Sequence, residues 1–398
     1  MELTMDYNSR QILNLIREQE ALSRVEISER LEIPQPTVTR ITNKLMKSNL
    51  LKEGKQGISS GGRRPTKLEF NENCYYALGI ELGRSAIKAA LINLNGYLLS
   101  FRMKVTHGTE SIDQVIEFVK EAVEEVMEES NIAKDRILGA GVGMPGPLNE
   151  TVDHNVSPPN FYQEKSIPLK SLLEEAIQLP VTLDNDANAA TLAEKWFGDG
   201  VGINNFSYVL ADIGIGCGLM INDSLYRGLN GESGELGHMS INFPGELCHC
   251  GNYGCLETLS SLPAIEKNYK KMLNHKTGSS QSDQTITPFE DIIKEANDGS
   301  MIAQQVLDQA TQYLGIAISN LINLFAPQKV IIGGEFRKVN THAFDKIHST
   351  IESRVMGKSG KGIPIVKSKI EEAVVLGAGA LVINEKFSLS LNYRTRQT

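Results

Sequence analysis

The sequence predicts two parts: a small three-helix module tipped by a β-hairpin, then a larger α/β body of two lobes with a cleft between them. Three observations carry that prediction. Residues 1–70 hold 12 Lys/Arg against 9 Asp/Glu, whereas the remainder holds 28 against 39, within an overall net charge of −8. Such an asymmetry implies two different jobs in one chain. Apolar residues recur at helical spacing through Met46 and turn strand-like from Tyr75 onward. Finally, a set of strand hairpins followed by a helix and further strands occurs twice, which fits two lobes of an α/β fold.

At 398 residues the chain is long enough for more than one core, and 41% hydrophobic with 22% charged residues is ordinary for a soluble globular protein. No apolar run reaches membrane-spanning length and the N-terminus lacks an apolar signal core, so a cytoplasmic location without membrane contact is expected. The cysteines are few, five in all, and three of them are clustered, in keeping with a reducing compartment.

Residues 1–70 form the first expected domain. Ile12, Leu13, Leu15 and Ile16 mark a helix over residues 8–19, and Ser23-Arg24-Val25-Glu26 is a capping-box pattern opening a second helix through Leu31. Pro36 suits the first position of a third helix, Thr37 to Met46, with Val38, Ile41 and Leu45 facing the core. That leaves Gln35, Thr37, Thr39, Arg40, Asn43 and Lys44 outward, the side-chain types that read base edges and phosphates. The arrangement is a helix-turn-helix. Strands at Leu50–Lys55 and Lys67–Phe70 flank a basic loop with Arg63 and Arg64, a wing suited to a phosphate backbone or narrow minor groove. A winged helix-turn-helix binding double-stranded DNA is the reading; a generic three-helix packing module with a solvated loop is the alternative.

The body begins after Asn71-Glu72-Asn73. Strands are expected at Tyr75–Leu82, Ala86–Leu94 and Tyr97–Val105, with Gly79, Gly83 and Gly96 as turns, then an amphipathic helix from Ser111 to Ser130. Ile137–Gly143 reads as a buried strand ending in the rigid Met144-Pro145-Gly146-Pro147. Val181–Leu183 is another, and its Asp184-Asn185-Asp186-Ala187-Asn188 runs into a helix over Ala189–Phe197. Further strands at Phe206–Ala211 and Lys329–Ile332, a helix near Ala310–Asn323 and a glycine-rich helix start at Leu376–Gly379 complete the pattern.

Ligands of such folds sit where strand ends meet helix starts. Asn185 and Asp186 lie at such a place. Asp186 could accept a proton from a substrate hydroxyl, or could simply cap its helix. Together with Glu235 and Glu257 these residues form a set of acceptors matched to a hydroxyl-rich molecule, of which a sugar is the obvious example.

Cys248, Cys250 and Cys255 fall within eight residues, with His238 ten positions upstream. Three thiolates and an imidazole suit a closed tetrahedral Zn²⁺ site. Ordinary reduced cysteines or a disulfide are the plainer readings, and His249 is a rival for the fourth ligand, disfavoured because it is squeezed between two cysteines. A closed Cys₃His site leaves no position for substrate, so the zinc would be structural, pinning a loop that carries Glu235 and Glu257.

Gly234-Glu235-Leu236-Gly237-His238 followed by Cys248-x-Cys250-Gly251-x-x-Gly254-Cys255-Leu256-Glu257 resembles the ROK family of repressors and sugar kinases, over residues 75–384. With the winged module and Ser-Gly-Gly-Arg-Arg-Pro at 60–65, the chain is similar to the branch of xylose and N-acetylglucosamine repressors. The resemblance implies an actin/hexokinase-like fold of two lobes. It also implies a sugar site of Asn185, Asp186, Glu235, His238 and Glu257, with zinc on His238, Cys248, Cys250 and Cys255. Asn160 is a looser match to the pocket, and Asp186 aligns with the base of the kinases.

Two departures bear on activity. Where the kinases usually present Asp-x-Gly-x-Thr, this chain has Glu81-Leu82-Gly83-Arg84-Ser85; at the second phosphate loop it has Asp212-Ile213-Gly214-Ile215-Gly216 in place of a hydroxyl residue and Gly-Thr-Gly. An added carboxylate repels polyphosphate and isoleucine cannot donate a hydrogen bond to it. The expectation is a non-catalytic, sugar-responsive transcriptional regulator, a repressor of carbohydrate-utilisation genes. It would bind a palindromic operator as a homodimer, with Asp186 a vestigial base. The rival is an ATP-dependent sugar kinase carrying a DNA-binding domain; a third reading has the body bind another protein.

Overall fold

The computed structural model describes residues 5–56, 66–146, 148, 155–156, 167–277 and 286–389. The wing loop with Arg63 and Arg64 lies outside them, as does Asn160.

In the N-terminal module, α1 (Tyr7–Glu18) starts at Asp6, whose carboxylate accepts the Ser9 N–H at 2.8 Å, and buries Ile12, Leu13 and Ile16. A short strand β1 (Ala21–Ser23), too brief to signal itself in the sequence, leads into α2 (Arg24–Leu31). The capping box between Ser23 and Glu26 is present as expected. α3 (Gln35–Lys47) starts earlier than foreseen, because Pro34 takes the cap and Gln35 becomes helical, leaving Pro36 second rather than first. β2 (Leu51–Gln56) and β3 (Thr66–Phe70) form the hairpin, and β1 joins β3 to make a three-stranded antiparallel sheet.

The first lobe contains β4 (Tyr76–Leu82), β5 (Ala86–Asn93), β6 (Leu98–Val105), α4 (Ile112–Ser130) and β7 (Ile137–Met144). A brief pairing of β8 (Asn155–Val156) with β9 (Ile167–Pro168) follows, then α5 (Leu169–Ile177), β10 (Val181–Asn185) and α6 (Asp186–Phe197). The second lobe contains β11 (Phe206–Ala211), β12 (Ile215–Ile221), β13 (Ser224–Tyr226), α7 (Glu257–Ser260), α8 (Leu262–Thr277), α9 (Phe289–Asn297) and α10 (Met301–Phe325). It closes with β14 (Lys329–Gly333), α11 (Thr341–Arg354), α12 (Lys358–Lys361) and β15 (Ile365–Lys367), after which α13 (Ala373–Phe387) returns to the first lobe.

The two large sheets run β10-β7-β4-β5-β6 and β13-β12-β11-β14-β15. In each, three strands make an antiparallel meander and two more add in parallel beside the first strand. One topology therefore occurs twice, as the repeated hairpin–helix–strand pattern implied. Between the sheets lie α6 and α13: α13 rests on β4 and β7, α6 on β11 and β12, and the two helices pack against each other.

That close packing corrects two glycine readings. Gly79 is not a turn but the middle of β4, where a Cβ would fall 2.0 Å from the Val375 carbonyl of α13. Gly377 does not start a helix but sits inside α13, where a Cβ would fall 1.9 Å from the Ala189 carbonyl of α6. Glycine is there to let backbones touch, despite its intrinsic cost inside helix and strand. No helix among the described residues is long and apolar enough to cross a membrane.

Candidate functional site

The cleft between the lobes has a volume of about 320 Å³ and is lined from both sides. Asn185 ends β10 and caps α6, its side-chain oxygen accepting the N–H groups of Ala187 at 2.9 Å and Asn188 at 3.4 Å. The cap role open to Asp186 thus falls to Asn185, and α6 starts at Asp186, three residues before Ala189. With Asn185 doing the capping, the Asp186 carboxylate is free to line the cleft, although it also accepts the Ala187 N–H at 2.7 Å.

The second lobe supplies Glu235, His238 and Glu257. Glu235 precedes a single 3₁₀ turn, Leu236–His238, which brings His238 Nε2 to 4.0 Å from the Glu235 carboxylate. Glu257 is buried at the start of α7; one of its oxygens accepts the Ile215 N–H at 3.1 Å and the other lies 3.3 Å from His249 Nδ1. All five residues assigned to the sugar site therefore border one cavity.

Burial, opposed by the Ala187 N–H and the Arg84 guanidinium, pushes the Asp186 carboxyl up to about 6. Glu235 is raised as well, by burial first and then by the charges of Asp186 and Glu257. Such acceptors suit hydroxyl groups, which bring no charge of their own.

The other half of the cleft is taken by the chain's own charges. Lys88 lies 3.4 Å from Glu81 and 2.8 Å from Glu372, and burial lifts the Glu81 carboxyl to about 7 against the pull of Lys88. Asp212 accepts the N–H groups of Ile213 at 2.8 Å and Glu335 at 3.0 Å, while the Ile215 N–H is committed to Glu257. Among the described lining residues the cations are Arg84 and Lys88, against six carboxylates, Glu81, Asp186, Asp212, Glu235, Glu257 and Glu335. That is a poor phosphate cradle.

Behind the cleft, His238, Cys248, Cys250 and Cys255 converge, with their candidate ligand atoms within 4.8 Å of one another. His238 Nδ1 lies 3.7 Å from Cys248 Sγ, and Cys250 Sγ lies 3.7 Å from Cys255 Sγ. His238 thus presents Nδ1 to the sulfurs and Nε2 to the cleft. His249 comes within 3.8 Å of Cys248 Sγ, but it also reaches Glu257 on the cleft side.

One contact had no sequence signal. Arg227, after β13, donates from Nε at 2.9 Å and Nη2 at 2.6 Å to Asp184 of β10, bridging the two lobes beside the cleft. The same carboxylate accepts the Asn185 N–H and Asn188 Nδ2, each at 2.8 Å, and so positions the segment that carries Asp186.

On the module, Gln35, Arg40, Asn43 and Lys44 are exposed along α3, and Thr37 and Thr39 are half-buried. Thr39 donates back to the Gln35 carbonyl at 2.9 Å, and Asn43 accepts from Arg24 Nη2 at 3.1 Å. Arg24, at the start of α2, therefore belongs to this face although the helical pattern of α3 could not reveal it.

A ROK family model matches residues 77–385, and a winged helix-turn-helix DNA-binding model matches residues 5–52. The chain is 32% identical over 391 residues to the xylose repressor of Caldicellulosiruptor bescii, covering 97% of this chain and 98% of that one. A crystal structure of a ROK family transcriptional regulator, a homologue of the Escherichia coli MLC protein, superposes with a TM-score of 0.81 at 29% identity, covering 96% and 97%. The ROK hexokinase of Thermus thermophilus, at 29% identity and a TM-score of 0.62, covers 77% of this chain and 97% of its own length. With a two-lobed body of the hexokinase type and a winged module in front of it, the chain belongs to the ROK family.

Proposed function

We propose that the protein is a sugar-responsive transcriptional repressor of carbohydrate-utilisation genes that does not itself phosphorylate its ligand. The observation that carries this reading is the division of the cleft. One half has Asn185, Asp186, Glu235, His238 and Glu257 around the cavity, while the other half is lined by Glu81 and Lys88, which pair with each other and with Glu372, and by the Asp212 carboxylate, a setting that disfavours a polyphosphate. The similarity to a xylose repressor over nearly the whole chain supports the same reading. The outward residues of α3, with Arg63 and Arg64 of the wing, would contact operator DNA, and a homodimer would match two half-sites.

The metal would be zinc. Two sulfurs each ~2.3 Å from a tetrahedral zinc stand about 3.8 Å apart, close to the Cys250–Cys255 separation of 3.7 Å, and thiolates with imidazole are its preferred donors. His238, Cys248, Cys250 and Cys255 would hold it, and the ion would fix the loop that delivers Glu257 to the cleft. With all four positions filled by protein it would have no catalytic role.

Operator binding titrated against xylose, glucose and N-acetylglucosamine tests the proposal. One of them should weaken DNA binding, as far as it prefers the non-binding conformation. Operator affinity unmoved by all of them, or steady formation of ADP and sugar phosphate on addition of ATP and Mg²⁺, would reject it. In the same assay Arg40→Ala should cost operator affinity about 1–3 kcal/mol, leaving metal content and sugar binding unchanged.

A further inference from the structure

Two helices connect the cleft to the DNA-binding module. α6 has Asp186 at its first turn and Trp196, the single tryptophan of the chain, at its last. Its 12 residues span about 18 Å. α13 runs beside it, with Val374 lining the cleft at one end and Phe387 at the other. Because Gly377 lets the α13 backbone touch the Ala189 carbonyl, and Trp196 Nε1 donates to Asn384 at 3.2 Å, the pair is fastened about one turn in from the cleft and again at its far end.

Both far ends carry the module. The Arg17 guanidinium of α1 lies 4.1 Å from the centre of the Trp196 ring, and its Nη1 donates to the Trp196 carbonyl at 3.4 Å. Asn14 donates to the Phe387 carbonyl at 2.8 Å and Arg10 to the Ser388 carbonyl at 3.0 Å. Leu13 packs into the same apolar cluster as Trp196, Ile383 and Phe387.

This seam is incompletely satisfied. Arg10 Nε and Arg17 Nε, both on side chains that bond the body, are buried without a hydrogen-bond partner among the described residues. Both donors would reach water if the seam parted, which offsets part of what docking gains. A small displacement of the Trp196 end can therefore decide whether the module stays seated.

We propose that α6, backed by α13, carries occupancy of the cleft from Asp186 to the Arg17–Trp196 contact, and that movement there frees the winged module from the body. Arg17 is then a positioning residue, neither a DNA contact nor a sugar contact. The proposal rests on the sugar-sensing reading above and adds the path by which the signal leaves the cleft. A packed element that both sites bias is the physical requirement for such coupling.

Trp196 itself supplies the test, being the only indole that can report. Full-length protein is titrated with xylose, glucose and N-acetylglucosamine while binding is followed independently by calorimetry. The sugar that gives heat should shift Trp196 emission with the same midpoint. In Arg17→Gln protein the ratio of operator Kd with and without that sugar should fall at least about fivefold, with Arg17→Lys recovering part of it. Calorimetric binding with unmoved emission would overturn the relay and leave sugar sensing standing, and so would an Arg17→Gln protein that responds like the wild type. Heat from none of the sugars would remove the sensing reading and the relay with it.

Discussion

Cys250→Ser protein is expected to purify without zinc and to melt roughly 5 °C below the wild type, taking about 3 kcal/mol as the lost metal contribution and about 1.5 °C per kcal/mol for a body of this size. Cys250 is the exposed member of the cluster, whereas Cys248 and Cys255 are buried. Replacing its sulfur with oxygen opens no core cavity, so the measured loss isolates the metal from packing. The loss should be a fraction of what zinc supplies to an isolated finger, because the second lobe has its own apolar core around Val209, Ile318 and Phe336. The metal would instead restrain the stretch from His238 to Glu257, which otherwise has little regular structure. Sugar binding should weaken along with it, since Glu257 follows Cys255 by two residues and His238 faces both sites. Cys74→Ser, outside the cluster, should keep its zinc. Metal analysis with scanning calorimetry decides: a full equivalent of zinc in the Cys250→Ser protein, or an unchanged melting temperature, would refute the assignment.

The sequence made the module and the paired topology readable because local signals there agree with the tertiary outcome. Ser23 and Glu26 announce α2, Ser111 announces α4, and the apolar spacing of both helices matches the faces they bury. It failed where several residues compete for one role or where the cause lies far away in the chain. Asn185 and Asp186 can both cap a helix, and only the fold shows that Asn185 does so. Gly79 and Gly377 look like punctuation but answer to carbonyls 296 and 188 positions distant, at Val375 and Ala189. Arg227 gave no pattern at all, since its partner Asp184 belongs to the other lobe. The acceptors of the cleft were legible for the opposite reason. Glu235 and Glu257 flank a cysteine–histidine cluster whose spacing suits little besides a metal ion.

Asp186→Asn should make the ligand-free protein more stable at pH 7 by about 1–3 kcal/mol while weakening its hold on sugar by roughly 10- to 100-fold. The first effect follows from the raised carboxyl, about 6 in the fold against an ordinary 3.8. Above pH 6 the native protein keeps an ionised group in a place that disfavours it, so the asparagine gains its full advantage there. As pH falls from 6 towards 3.8 the native carboxyl takes up its proton before the unfolded one does, the penalty lifts, and the two proteins converge. The second effect follows from chemistry: a carboxylate accepts a hydroxyl proton more strongly than an amide, and a protonated carboxyl loses that capacity. Wild-type sugar affinity should therefore decline as pH drops through 6, and the Asp186→Asn protein should show a flatter profile. Were Asp186 merely a favourable charge at the start of α6, the substitution would forfeit about 0.3–1 kcal/mol of helix-dipole interaction and destabilise the protein. The sign of the change in melting temperature at pH 7, read beside sugar affinity at pH 8 and pH 5, therefore separates a ligand-binding carboxylate held under strain from a structural one.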